Sequence, residues 1–182
     1  MRARRLMQLR ILAFVTGLAS ASFAMAAPIA DARIEVHKAE RTLVVHSGDR
    51  VVKIYRIGLG SNPLPPKRRQ GDRATPEGEY YISHKNPRSQ FYLSLGVSYP
   101  NADDAARGLG AGLITPAQRD AIVRAIAARR PPPSNTALGG DIFVHGRGSS
   151  SDWTWGCIAL DDADMKELYD AIDVGTPIVI GP

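Results

Sequence analysis

The segment DIFVHGRGSSSDWTWGCIAL, residues 141–160, contains the features on which the fold prediction depends. Asp141–His145 and Gly156–Leu160 are short apolar runs of the kind that form buried strands. A connection of ten residues separates them, so the end of the first strand is expected near the start of the second. This arrangement predicts that His145 and Cys157 lie at the same edge of a sheet.

Strand-type sequence also occurs on both sides of this segment. Six further runs are rich in Ile, Val, Leu or aromatic residues and predict strands: Arg33–His37, Arg41–His46, Val51–Ile57, Glu79–Ser83, Phe91–Val97 and Pro177–Ile180. The turn residues Ser47–Asp49 join the second and third runs into a hairpin. No internal repeat is present, so the strands belong to one domain.

Two helices are predicted to cover the strands. Thr115–Gln118 has the pattern of a helix start, with a capping threonine, a proline at the first position and a glutamine that completes a capping box; Pro131–Pro133 ends this helix over the sheet. Asp161 or Asp162 caps a second helix that ends at Gly175. Its apolar positions predict a core-facing stripe: Met165, Leu168, Tyr169 and Ile172. The fold class is therefore mostly β with a few covering helices (α+β).

The basic character of the 182-residue chain is concentrated at its N-terminus. The formal net charge is +5, but residues 1–26 contain four arginines and no acidic residue, and the remainder is nearly neutral. A positively charged start, an apolar run through Met25 and the small residues around Ala24–Ala26 predict a signal peptide. We therefore expect residues 27–182 to form a periplasmic domain without stable membrane insertion, and no nucleic-acid partner. A retained membrane anchor is the alternative, disfavoured because the run is short and lacks a basic flank.

Cys157 is the only cysteine, so it cannot form a disulfide within the chain. A small buried apolar residue is one interpretation of such a thiol. The other is a nucleophile, because a neighbouring histidine such as His145 lowers the pKa of a thiol and accepts its proton. A thiol redox role is disfavoured because the chain has no resolving cysteine.

The residues before the cysteine favour the nucleophile hypothesis. Gly156 permits a sharp backbone bend, so the N–H groups of Trp155, Gly156 and Cys157 can converge on a developing oxyanion, and Thr154 adds a hydroxyl to the turn. The structural alternative is that the histidine and the tryptophans serve only in packing. Asp152 is expected either to contact the histidine or to cap the local turn.

The remaining histidines and glycines predict no cofactor. His37, His46 and His84 have no partner at metal-ligand spacing and are expected at solvent-facing strand positions, so no metal is predicted. Gly58–Gly60 lacks the following helix that a phosphate-binding loop requires.

The segment 152–160 resembles the active-site motif of the L,D-transpeptidase catalytic domain family (YkuD). The order Phe-Val-His-Gly at 143–146 followed by Thr-x-Gly-Cys-Ile at 154–158 matches the family signature. The resemblance extends to the hairpin at 41–57, the Thr-Pro-x-Gly turn within 71–78 and the closing strand at 175–180. It thus covers roughly residues 33–180 and implies a β-sandwich or a partly closed barrel.

Three departures favour the YafK-like branch of this family. Trp155 replaces the His or Arg that many members carry before Gly-Cys, and Ala159 replaces an Arg or Asn. The spacing between the histidine and the cysteine is also shorter, and Ser98–Asn101 resembles a segment of that branch. The departures bear on the choice of acceptor and on how substrate charge is recognised.

The resemblance implies acyl transfer on the tetrapeptide stems of peptidoglycan. Cys157 would be the nucleophile, His145 the general base and the carbonyl of Gly146 the group that orients it. Arg147 and Arg73 are candidates for contact with stem carboxylates, or else exposed loop charges. The acyl-enzyme would be resolved by a stem amine, by a protein lysine or, in a hydrolase, by water. A non-catalytic wall-binding module is the alternative from another class.

Overall fold

The computed structural model describes residues 29–182, and the predicted signal peptide lies outside this range. The described residues form eight strands: β1 (Ala32–His37), β2 (Thr42–Ser47), β3 (Arg50–Arg56), β4 (Gly78–Ser89), β5 (Tyr92–Val97), β6 (Phe143–His145), β7 (Ile158–Ala159) and β8 (Pro177–Gly181). They also form three helices: α1 (Ala102–Gly110), α2 (Pro116–Ala127) and α3 (Asp162–Ala171). Within residues 29–182, no helix is long and apolar enough to cross a membrane.

The strands form one curled sheet in the order β3-β2-β1-β8-β4-β5-β6-β7. The β1–β8 and β6–β7 pairs are parallel, and the other neighbours are antiparallel. Just beyond β3, Gly58 and Ala159 exchange two backbone hydrogen bonds of 2.8 Å, so the chain leaving one edge strand meets the other edge strand. The predicted mostly β class is confirmed, in the form of a half-barrel.

The hydrophobic core lies inside this curl. Alternate residues of the strands point inward and are buried, among them Ile34 and Val36 on β1 and Ile178 and Ile180 on β8. Helix α3 covers the core with the predicted stripe, since Met165, Leu168 and Ile172 are fully buried and Tyr169 packs at the margin. Burial of each such side chain contributes about 1.5–3 kcal/mol relative to exposure. The predicted helix end is wrong, because Ile172 is the C-cap and Gly175 lies three residues beyond it.

Helices α1 and α2 form a second layer with its own small core of Ala105, Ile114, Ile122 and Leu138. The predicted start of α2 is confirmed, with the reciprocal capping box between Thr115 and Gln118. The expectation that α2 lies over the sheet is wrong, since it packs mainly against α1. The sequence analysis did not predict α1.

Candidate active site

Strands β6 and β7 bring His145 and Cys157 together. Their parallel register pairs Val144 with Ile158 and His145 with Ala159. Continued by one residue, this register places Cys157 beside Phe143. Residues paired in a sheet point to the same face, so the imidazole and the thiol emerge on one face as diagonal neighbours, with Cα atoms about 8 Å apart by strand geometry.

The imidazole of His145 is almost completely buried and is enclosed by aromatic rings. Phe91 stacks on it with ring centroids 4.7 Å apart, and Trp153 meets it edge-on at 5.6 Å. Its Nδ1 lies 2.7 Å from the carbonyl oxygen of Gly146. With Nδ1–H donating to this carbonyl, Nε2 is left as a proton acceptor. Burial lowers the pKa of His145, so the ring is neutral at neutral pH.

The thiol of Cys157 is also neutral in this conformation. Its Sγ donates to the carbonyl oxygen of Asp141 at 3.6 Å rather than to the imidazole. The residue keeps part of its surface accessible, but the sulfur is closely surrounded. Burial raises the pKa of Cys157 to about 11, against the lowering effects of the Phe143 backbone N–H and the Lys67 ammonium. The resting site is therefore a neutral thiol beside a neutral base rather than an ion pair.

The turn before Cys157 is held by Thr154. Its hydroxyl donates to the carbonyl oxygen of Cys157 at 2.7 Å and accepts from the N–H of Gly156 at 3.1 Å. Of the three N–H groups predicted to face an oxyanion, that of Gly156 thus has a partner inside the turn. Among residues 29–182, the N–H groups of Trp155 and Cys157 have no protein acceptor.

Gly156 adopts a conformation that requires glycine. Its φ is +121°, and a Cβ at this position would lie 2.6 Å from the carbonyl oxygen of Ala74. The glycine therefore permits both the bend and the close approach of the neighbouring loop.

The two basic residues that the sequence analysis named, Arg147 and Arg73, are both exposed at the surface. Arg147 has an exposed side chain, while its backbone N–H donates to Asp162 at 2.8 Å. The guanidinium of Arg73 lies over the ring of Trp155, 5.0 Å from its centroid. Trp155 is 71% exposed, so its indole projects from the surface close to Cys157.

Asp152 has a structural partner instead of the histidine. It forms a two-pronged pair with Arg41, with its shortest contact at 2.7 Å, and accepts from the N–H of Leu59 at 2.9 Å. Burial alone would raise the pKa of Asp152, but these two partners lower it below its ordinary value. Asp152 therefore connects the loop before Cys157 to the N-terminal hairpin.

The sequence analysis missed three residues that shape the site. Phe91 covers the imidazole, as described above. Asp161 accepts from the N–H of Ser149 at 2.9 Å and from its hydroxyl at 3.2 Å, and Asp162 accepts from the loop at Arg147. Asp161 was considered only as a helix cap, but its side chain makes no capping bond. The available signal in the sequence was the pair of adjacent aspartates that directly follows the predicted strand Gly156–Leu160.

Among the other histidines, the half-buried His84 meets Phe143 edge-on with ring centroids 5.6 Å apart, whereas His37 and His46 lie on β1 and β2. His46 is buried, so its predicted solvent-facing position is wrong; its Nε2 lies 3.2 Å from Glu35, and the Nε2 of His37 lies 3.7 Å from the same carboxylate. Across residues 29–182, no group of three or more His, Cys, Asp or Glu side chains is arranged to hold a metal ion.

The fold and the site together define a class of protein: a curled β half-barrel with an imidazole on β6 and a thiol directly before the neighbouring edge strand β7. A sequence profile described as the L,D-transpeptidase catalytic domain (YkuD) matches residues 31–180, and the chain belongs to this family.

Individual relatives share part of their length with this chain. YafK of Escherichia coli (strain K12), a candidate L,D-transpeptidase, is 38% identical over 81 residues, which is 41% of this chain and 33% of YafK. Among solved structures, the helical cell shape determining protein Pgp2 of Campylobacter jejuni is 20% identical with a TM-score of 0.56, covering 82% of this chain and 46% of that chain. Bd1075 of Bdellovibrio bacteriovorus is 22% identical with a TM-score of 0.53, covering 84% and 48%. The chain thus spans about half of these structures and a third of YafK, and the structural likeness concerns the fold.

Proposed function

We propose that this chain is a cysteine-dependent L,D-transpeptidase that acts on the tetrapeptide stems of peptidoglycan. The observation that carries the proposal is the placement of Cys157, within a family-matching motif, on the strand beside a buried, neutral His145. A neutral imidazole can take the thiol proton, and Cys157 keeps part of its surface accessible. The rest of the site supplies positioning.

In the acylation step, the proton of the Cys157 thiol passes to Nε2 of His145 as the sulfur attacks the carbonyl carbon at the L-centre of diaminopimelate. The negative charge that develops on the carbonyl oxygen is met by the N–H groups of Trp155 and Cys157. The carbon–nitrogen bond then breaks, and the imidazolium returns the proton to the departing amine of D-alanine. The products are a thioester on sulfur and free D-alanine.

In the second step, an amine attacks the thioester, gives its proton to the imidazole and displaces the sulfur, which is reprotonated as a thiol. A second stem would give a cross-link between two stems, and a protein lysine would give an attached protein. Water in place of the amine would make the site an L,D-carboxypeptidase or an amidase. All of these outcomes share one acyl-enzyme.

The other residues have supporting roles in this proposal. The carbonyl of Gly146 fixes the tautomer of the base, and Thr154 and Gly156 shape the turn that presents the N–H groups. In this proposal the exposed side chains of Trp155 and Arg147 contact the stem peptide. We further propose that the predicted leader directs the domain to the periplasm, where these stems occur.

The test is the formation of a covalent adduct. Wild-type protein incubated with a carbapenem or a tetrapeptide muropeptide should gain the mass of an acyl group, and Cys157→Ala should gain none while keeping its folded circular dichroism spectrum. An adduct that persists in the variant would defeat the nucleophile assignment. Product analysis then separates the outcomes, because dimers indicate transfer and shortened monomers indicate hydrolysis. Retention on purified sacculi without thiol reactivity would instead support a wall-binding module.

A further inference from the structure

We propose that the cleft between the tip of the β4–β5 hairpin and strand β6 binds the amino acid that leaves during acylation, with Arg88 as the partner of its carboxylate. This inference rests on the proposed function and adds to it the subsite that selects the leaving group.

The cleft has a volume of about 320 Å³ and opens beside the imidazole. Phe143 and His145 of β6 form one wall, and Arg88, Phe91 and Ser94 belong to the hairpin side. This space is ample for a single small amino acid, and it combines aromatic surface with a few polar groups, as ligand sites do.

The cleft also adjoins the nucleophile. Phe143 contributes its side chain to the wall, and the β6–β7 register places Cys157 next to it on the neighbouring strand. The Phe143 backbone N–H is close enough to the sulfur to lower the pKa of the thiol against the dominant effect of burial. A group bound in the cleft is therefore within reach of both members of the thiol–imidazole pair.

The chemistry of acylation requires the leaving residue to lie close to the imidazole. The imidazolium of His145 must give its proton to the departing nitrogen, so that nitrogen has to come within hydrogen-bonding distance of the ring. In D-alanine the carboxylate is separated from the nitrogen by a single carbon atom. The carboxylate then lies a few ångströms from the imidazole, and the cleft that His145 borders offers space for it.

Arg88 is the charged side chain among the residues that line the cleft. Within residues 29–182 its guanidinium takes part in no salt bridge, so its donors are free for a ligand. A guanidinium binds a carboxylate with two parallel hydrogen bonds, which suits a carboxyl-terminal residue. The position two residues after the cysteine offers no cation, because Ala159 stands there and is fully buried.

The hairpin tip that carries Arg88 is fixed by its own hydrogen bonds. The backbone N–H of Arg88 donates to the side chain of Asn86 at 2.9 Å, and the N–H of Phe91 donates to the hydroxyl of Ser89 at 3.1 Å. Phe91 also stacks on His145, which joins the tip to the base. The guanidinium therefore starts from a backbone position that is held relative to the imidazole, and less ordering is required on binding.

The experiment compares two acyl donors, a tetrapeptide stem ending in D-alanine and the same stem ending in D-alaninamide. The rate of thioester formation is followed by intact mass in wild-type protein, Arg88→Ala, Arg88→Lys and the control Arg124→Ala on the exposed face of α2. Wild type and the control should prefer the free carboxylate by about 10- to 100-fold, the value of charge-assisted hydrogen bonds. Arg88→Ala should lose this preference because its rate with the carboxylate falls towards the rate with the amide. Arg88→Lys should keep part of it.

The stem ending in D-alaninamide separates the two proposals, because its acylation of Cys157 requires the thiol–imidazole pair but offers no carboxylate to Arg88. A thioester formed from this stem by wild-type protein and absent in Cys157→Ala supports the proposed function whatever the role of Arg88. If this thioester forms and Arg88→Ala still prefers the free carboxylate as strongly as wild type does, the subsite proposal is wrong and the proposed function stands. If wild type forms a thioester with neither stem, the proposed function is wrong and the subsite proposal is wrong with it.

Discussion

The Thr154 hydroxyl donates a hydrogen bond of 2.7 Å to the carbonyl oxygen of Cys157, three residues further along the chain. The hydroxyl oxygen of Thr154 also accepts from the N–H of Gly156 at 3.1 Å. One buried hydroxyl thus satisfies a donor and an acceptor of the backbone and closes the turn that leads into Cys157.

Replacement of Thr154 by valine should slow acylation of Cys157. Valine has a similar shape but leaves the Gly156 N–H and the Cys157 carbonyl unpaired, at a cost of about 1–3 kcal/mol, which loosens the turn. The second-order rate of carbapenem adduct formation should fall about tenfold or more. Thr154→Ser retains the hydroxyl and should stay within a few-fold of wild type; equal rates for valine and serine would show that the hydrogen bonds do not matter.

Replacement of Gly156 by alanine should disrupt the same turn from the backbone. The new Cβ would lie 2.6 Å from the carbonyl oxygen of Ala74 in a residue whose φ is +121°, so the loop has to move. We expect a loss of adduct formation and a lower melting temperature. Gly110→Ala is the matched control, because a Cβ there meets nothing within 4 Å, and it should leave both properties unchanged. A fully active Gly156→Ala protein would contradict the strain argument.

Alkylation of Cys157 by iodoacetamide reports how much thiolate is present before a substrate binds. Burial raises the pKa of this thiol to about 11, so the rate should keep rising with pH throughout the range from 7 to 10. Stopped assays at fixed ionic strength, read by intact mass, provide the measurement. A plateau already reached at pH 8 would mean that a thiolate–imidazolium pair exists in the free protein.

The fall in the rate of carbapenem acylation at low pH, which is the acid limb of the pH–rate profile, should be set by the protonation of His145. Burial lowers the pKa of this residue, so the neutral base persists below pH 6.5 and the half-maximal rate should occur below that value. Trp153 supplies part of this burial through its edge-on contact. Trp153→Ala should therefore move the limb to higher pH, whereas Trp153→Phe should move it less. An unchanged limb in Trp153→Ala would assign the lowered pKa to other neighbours.

Removal of the Asp152 charge should destabilise the fold. Asp152→Asn disrupts the pairing with Arg41, and we expect a loss of about 1–3 kcal/mol in the free energy of unfolding at pH 7. Because the folded-state pKa of Asp152 is lowered, its contribution is complete above about pH 4, the range of unfolded carboxyls, and disappears as the pH falls through the folded value.

Urea unfolding at pH 7 and pH 3 tests this dependence. The difference in the free energy of unfolding between wild type and Asp152→Asn should be smaller at pH 3 than at pH 7. Asp120→Asn is the control, since Asp120 is half-exposed and, in the described part of the chain, pairs only with its neighbour Arg119, and it should change stability by less than about 0.5 kcal/mol. A gap of equal size at both pH values would show that the charge of Asp152 is not responsible.

Local patterns in the sequence predicted most of the regular structure. The capping box at Thr115 and the apolar stripe ending at Ile172 are both confirmed, because each depends on residues three or four positions apart. Helix α1 escaped prediction although Asn101 and Asp104 form a reciprocal capping box. Its glycines and few apolar residues give only a weak helical pattern. Burial of Ala105 in the core of the second layer stabilises the helix, and this contribution cannot be predicted from the local sequence.

The site was predicted only in part for the same reason. The proximity of His145 and Cys157 follows from two short strands and a short connection, so it could be inferred. The aromatic cover from Phe91 and the pairing of Asp152 with Arg41 join residues 54 and 111 positions apart. Such contacts arise from the curl of the sheet, and no spacing in the sequence encodes them.

The two hydrogen bonds between Gly58 and Ala159 have a consequence for biogenesis. They attach the two-residue strand that follows Cys157 to the N-terminal hairpin, about a hundred positions earlier in the chain. A polypeptide still emerging from the ribosome, or one crossing a membrane unfolded, cannot make this junction. Its sulfur would behave as an ordinary thiol, and reactivity towards substrate would arise only after both ends of the domain had docked.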